Sequence, residues 1–78
     1  YSTLIVRQTD HPGIVAHITQ CLSNERVNIA FMRLFREDKG AMAYTVVESD
    51  EPIPERILDE IRENKHVKEL MLIQAQEV

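Results

Sequence analysis

Apolar and β-branched residues run together at Thr3-Leu4-Ile5-Val6, a short stretch that predicts a first strand ending near Arg7-Gln8. The spacing then changes. From Pro12 onward, Ile14, Val15, Ile18, Cys21 and Leu22 recur at helical intervals, whereas His17, Gln20 and Asn24 fall elsewhere on the wheel. Asp10 is placed to cap this helix, Pro12 is pre-shaped for its first turn, and the helix is expected to stop around residues 24–26. Residues 27–36 read as a longer strand with apolar side chains on both faces. Glu37-Asp38-Lys39-Gly40 reads as a hairpin turn in which Gly40 supplies positive φ. Residues 42–47 return as a strand, with Ala41 and Ala43 on one side and Met42, Tyr44 and Val46 on the other. Asp50-Glu51-Pro52-Ile53-Pro54 breaks it and starts a second helix. Pro54 is its expected first residue, and Glu55 complements the dipole. Ile53, Ile57, Leu58 and Ile61 form the buried stripe of that helix, and Arg56, Asp59, Glu60 and Glu63 its wet side. Asn64-Lys65-His66 ends the helix, and residues 67–74 form a closing strand.

The order strand, helix, strand, strand, helix, strand predicts an α+β fold of ferredoxin-like βαββαβ type. Right-handed crossovers place both helices on one face of a four-stranded antiparallel sheet. Seventy-eight residues form a single domain spanning 1–78, without room for a second core. A chain this short buries only about 60% of the surface its unfolded form exposes, so pairing with another copy favours its stability. It opens at Tyr1 rather than Met, and is expected to be a segment of a longer polypeptide.

Charge narrows the partners. A net charge of −4, with basic residues scattered among acidic ones, argues against nucleic acid and against an anionic membrane surface. No apolar run approaches spanning length, and no signal-peptide pattern opens the chain. A single cysteine excludes an internal disulfide framework and fits a reducing, cytoplasmic setting.

Catalysis needs a nucleophile, a base or a metal nest, and the residues give no affirmative sign of turnover. Cys21 sits on the apolar stripe of the first helix, as a buried core thiol would. His11, His17 and His66 show no metal-ligand spacing with one another or with Cys21, and each is expected at the surface. With only Gly13 and Gly40, the chain has no glycine-rich phosphate loop. Glu48-Ser49-Asp50-Glu51 lacks the alternation of a calcium loop and reads as a solvated strand end.

Binding chemistry is concentrated at Asp10-His11-Pro12-Gly13-Ile14-Val15 and, about one helix later, at Val27-Asn28-Ile29. A helix N-terminus beside a carboxylate and an amide suits a small zwitterion. Backbone N–H groups of Ile14 and Val15 can take its carboxylate, and Asp10 can take its ammonium. Gly13 lets another group approach the backbone. Gln8 can bond a side-chain hydroxyl, His11 borders the pocket, and Asn28 would act across an interface. Each has a plainer role: Asp10 as a helix cap, Asn28 as a turn residue, Gln8 as a surface side chain.

The Asp10-x-Pro12-Gly13 loop between strand and helix, followed by Val27-Asn28-Ile29 opening the second strand, resembles the ACT domain, a regulatory module that binds amino acids. The likeness covers essentially the whole chain. A narrower resemblance rests on Asn28-Ile29-Ala30-Phe31-Met32-Arg33, Phe35-Arg36-Glu37, Lys39-Gly40 and the run from Glu48 to Pro54. These residues are similar to the C-terminal ACT domain of the β subunit of bacterial iron–sulfur L-serine dehydratases. Those enzymes convert serine to pyruvate and ammonia. The resemblance implies L-serine or another small amino acid as ligand, a homodimer through side-by-side sheet pairing, and a catalytic α subunit or domain as partner. It implies no cofactor within this domain and a [4Fe-4S] cluster elsewhere in the parent enzyme. The alternatives are the serine-sensing domain of D-3-phosphoglycerate dehydrogenase and a ligand-free dimerisation module. Members of that dehydrogenase family commonly carry His where Gln8 stands and Asn at the loop acid, here Asp10. Arg26 stands where the family often has Gly. Either Asn24 ends the helix in a left-handed conformation, or Arg26 tolerates the strain, at a cost on the order of 1 kcal/mol.

Overall fold

The computed structural model describes residues 2–37 and 41–74. Six elements follow one another: β1 (Ser2–Thr9), α1 (Ile14–Asn24), β2 (Ile29–Arg36), β3 (Met42–Ser49), α2 (Arg56–Arg62) and β4 (Val67–Ile73). The strands form one sheet in the order β2-β3-β1-β4, and every neighbouring pair is antiparallel. This is the expected ferredoxin-like sandwich. The hairpin turn placed at residues 37–40, with Gly40 at its tip, falls largely outside the described residues.

Strand alternation sets the two faces. Leu4, Val6 and Gln8 of β1 and Ala43, Thr45 and Val47 of β3 point toward the helices and are buried. They meet Ile14, Ile18, Cys21 and Leu22 of α1 and Ile57 and Ile61 of α2, with Val27 and Ile53 closing the core. Each fully buried Leu, Ile or Val contributes about 1.5–3 kcal/mol relative to exposure. The opposite face of the sheet is open. There Phe31 and Phe35 of β2 and Met71 and Ile73 of β4 remain 40–56% exposed, and Arg33 sits 5.3 Å and 5.5 Å from the centres of the two phenylalanine rings.

Both helices start later than their sequence signals suggest. Pro12 lies in a turn, and Gly13, with φ 92°, is the residue before the first turn of α1. Pro54 likewise precedes α2: its carbonyl accepts from Ile57 N at 3.1 Å, and the helix proper begins at Arg56. Proline fits because its missing N–H is not required there.

The end of α1 resolves the Arg26 question. Arg26 itself adopts φ 59°; Asn24 stays helical. Arg26 N donates to Ser23 O at 3.0 Å and Val27 N donates to Leu22 O at 3.0 Å. These are the two bonds of a Schellman motif, and the buried Leu22 and Val27 side chains supply its apolar contact.

Candidate functional site

The loop between β1 and α1 is held at both ends of its entry. Thr9 N donates to His66 O at 2.8 Å, and Asp10 N donates to Ala41 O. The chain then turns through Pro12 and the left-handed Gly13, where a Cβ would meet nothing within 4 Å. The result is a cleft of about 330 Å³, within the size range of small-molecule sites. Six of the seven residues expected from sequence line it: Gln8, Asp10, His11, Gly13, Ile14 and Val15. Pro12, Leu34 and Arg36 complete the wall.

Asn28 is not among them. It lies at the opposite end of β2 from Leu34 and Arg36, exposed, with its backbone N–H donating to Glu51 Oε1 at 3.0 Å.

Asp10 does not cap α1. The helix starts four residues later with no side-chain cap, and the Asp10 carboxylate instead accepts from Arg36 Nε at 2.8 Å. The physical reason is reach: a cap must adjoin the first turn, and Gly13 occupies that position. The amides of α1 are partly engaged. Ile14 N donates to His11 O at a long 3.3 Å, and His17 N donates to Gly13 O at 2.9 Å. The N–H groups of Val15 and Ala16 find no backbone acceptor among the described residues, so they remain available to an anion.

Gln8 is a core residue rather than a surface one, only 2% exposed at the base of the cleft. Its Nε2 donates to Thr45 Oγ1 at 2.7 Å, and Thr45 Oγ1 donates to Gln8 Oε1 at 3.1 Å. A buried amide needs such a partner, since an unpaired one carries its whole desolvation cost. At the rim, His11 stacks on His66. The His11 Nδ1–H donates to the Pro12 carbonyl at 2.9 Å. Burial, then the nearby His11, Lys65 and Lys68, push the His66 imidazole below its ordinary pKa.

Of the two remaining expectations on α1, one needs adjustment and one holds. His17 is a half-buried wedge between the helices, its Nε2–H shared between Glu60 O and Ile61 O, each at 3.2 Å. Cys21 is buried as expected, 3.8 Å from that ring, and burial with Glu60 and Glu63 nearby pushes its thiol above the usual range. A wider hollow of about 430 Å³ lies over this pair. No group of three or more His, Cys, Asp and Glu side chains among the described residues could hold a metal ion. One buried cysteine does not fit an iron–sulfur cluster, whose irons are held by several thiolates.

Arg36 and Leu34 are the cleft residues that sequence reasoning missed. Their signal was available in the alternation of β2. Arg36 shares the helix-facing side of the strand with Leu34 and Met32, where a cation needs an anionic neighbour, and Asp10 is the acid of the adjoining loop.

No helix among the described residues is long and apolar enough to cross a membrane. The sequence matches the family model of the ACT domain over residues 2–66. It is 30% identical over 61 residues to the probable L-serine dehydratase β chain of Bacillus subtilis, an alignment covering 78% of this chain and 28% of that one. It is 26% identical over 69 residues to D-3-phosphoglycerate dehydrogenase of Methanocaldococcus jannaschii, covering 88% of this chain and 13% of that one. The chain therefore spans less than a third of either relative. Among solved structures, a formyltetrahydrofolate deformylase from Pseudomonas putida superposes over 95% of this chain and 28% of its own, with a TM-score of 0.80 at 16% identity, a likeness of fold. With the βαββαβ order and the match over residues 2–66, these findings show that the chain belongs to the ACT domain family.

Proposed function

We propose that this ACT domain is a regulatory sensor for a small amino acid, L-serine, in a cytoplasmic iron–sulfur L-serine dehydratase. The observation that carries the reading is one cleft combining the Asp10 carboxylate, the unengaged amide of Val15 at the start of α1, and the polar floor at Gln8. A zwitterion needs an anion receptor and a cation receptor about one Cα apart, and the loop offers both. Two charge-assisted bonds of about 1.5–3 kcal/mol each match the ~4 kcal/mol of a millimolar site. The dehydratase is favoured over the dehydrogenase by Gln8 and Asp10, where the dehydrogenases commonly carry His and Asn. In this reading the [4Fe-4S] cluster and the catalytic α subunit or domain lie in the remainder of that enzyme.

The site is completed by a second copy. β2 is an edge strand of eight residues, free of proline, with Phe31, Met32 and Phe35 exposed. Such an edge is a template for pairing. Antiparallel pairing of β2 with β2 about Met32 sets Asn28 of one copy opposite Arg36 of the other, and so beside its cleft. Ligand that prefers this arrangement stabilises it, and the parent enzyme feels the shift.

Calorimetric titration with L-serine, alongside sedimentation, tests the proposal. Binding heat at millimolar ligand is expected, abolished by Asp10→Ala and weakened by Asn28→Ala. A folded dimer that gives no heat would favour the second reading, a ligand-free dimerisation module. That reading draws on the Asp10–Arg36 ion pair, which already neutralises the loop acid.

A further inference from the structure

Asp10 holds Arg36 in a geometry that a zwitterion can replace group for group. The two side chains meet at 2.8 Å on the wall of the cleft; that of Arg36 is 65% exposed and that of Asp10 31%. Only Arg36 Nε is committed to the carboxylate, so the terminal N–H groups of this exposed, cleft-lining guanidinium remain open to another acceptor. An ammonium that takes Asp10 displaces this cation. Arg36 is then free to take an anion, and the displacing molecule brings a carboxylate into the same cleft. We infer that Arg36 is a ligand-carboxylate receptor, exchanged from Asp10 to the bound amino acid as the site fills. This rests on the amino-acid-binding reading given above.

The exchange is charge-neutral: one ion pair becomes two, and no buried charge is left alone. A planar fork suits a carboxylate, as a lysine ammonium would not. Arg36 also stands on β2, the edge at which a second copy would pair, whereas Asp10 stands on the loop before α1. Binding therefore replaces the direct link between the loop and the edge strand with one that runs through the ligand. Occupancy is thereby coupled to the strand without movement of the core.

The test uses the 78-residue chain, two ligands and two variants. L-serine carries both ionic groups; L-serinamide keeps the ammonium and loses the carboxylate. Wild type is expected to bind serine at least about 10-fold more tightly than serinamide, the discrimination one ion pair supplies. Arg36→Gln should weaken serine about 10-fold or more while leaving serinamide unchanged or tighter, because Asp10 is no longer occupied. Arg36→Lys should recover only part of the serine affinity. Thermal melts establish that both variants fold, which the exposure of Arg36 favours. If Arg36→Gln tightens both ligands equally, Arg36 is a competitor only and the inference is overturned. Unchanged affinity for both overturns it as well, with the amino-acid-binding reading intact. Wild type that binds neither ligand defeats that reading and this inference together.

Discussion

The imidazole rings of His11 and His66 stack with their centroids 3.9 Å apart and their planes 15° from parallel. One belongs to the cleft loop and the other to the turn before β4, so the pair fastens the loop to the sheet from outside. Two stacked imidazolium ions at this distance would repel, and Lys65 and Lys68 add to the positive field around His66. Burial first, and then these neighbouring charges, hold its folded pKa below the ordinary ~6.5 of an unfolded histidine. The unfolded chain then binds more protons than the folded one, so this contribution is present above about pH 6.5 and lost as pH falls through the depressed folded value. Wild type should lose more melting temperature between about pH 7.5 and 5.5 than His66→Gln does. Parallel pH profiles of the two proteins would refute the assignment.

Gln8 and Thr45 bond to each other across β1 and β3 under the cleft, and both are buried. Removing one partner strands the other. Thr45→Val and Gln8→Leu should each lower unfolding free energy by about 1–3 kcal/mol, because a buried polar group is left unsatisfied. The double replacement should cost clearly less than the sum, since nothing polar then remains to satisfy. Urea denaturation of the four proteins measures the coupling, and strict additivity would show that the pair is independent.

The fold was legible because both periods are clean. Alternation in β1 and β3 and the three-and-four spacing of Ile14, Ile18, Cys21 and Leu22 agree with the element order. Six cleft residues were legible from the loop and the strand before it, because five of them fall within the contiguous run from Asp10 to Val15 and Gln8 lies one residue from the end of β1. Interactions between distant segments were not. The Asp10–Arg36 pair joins residues 26 apart, Gln8–Thr45 joins residues 37 apart, and His17 reaches α2 across 43. Local spacing carries no term for such distances, so Asp10 read as a cap, Gln8 as exposed and His17 as a surface side chain. Asn28 stands away from the cleft of its own chain, and its expected place was across an interface, at the loop of another copy.

Arg26 adopts the left-handed conformation that closes α1, and its side chain is exposed. Its backbone is fixed by Arg26 N to Ser23 O and Val27 N to Leu22 O, and the second bond delivers Val27 into the core and the chain into β2. The conformation is therefore imposed by the surroundings, and an L-residue there bears about 1–2 kcal/mol of strain. Glycine removes that strain but brings about 0.5–1 kcal/mol of additional unfolded-state entropy. The balance predicts that Arg26→Gly raises stability by about 0.5–1 kcal/mol, with the cleft and its ligand affinity unchanged. Denaturant melts of the variant at neutral pH decide the sign. Destabilisation would mean that the Arg26 side chain contributes more on the surface than its backbone strain costs.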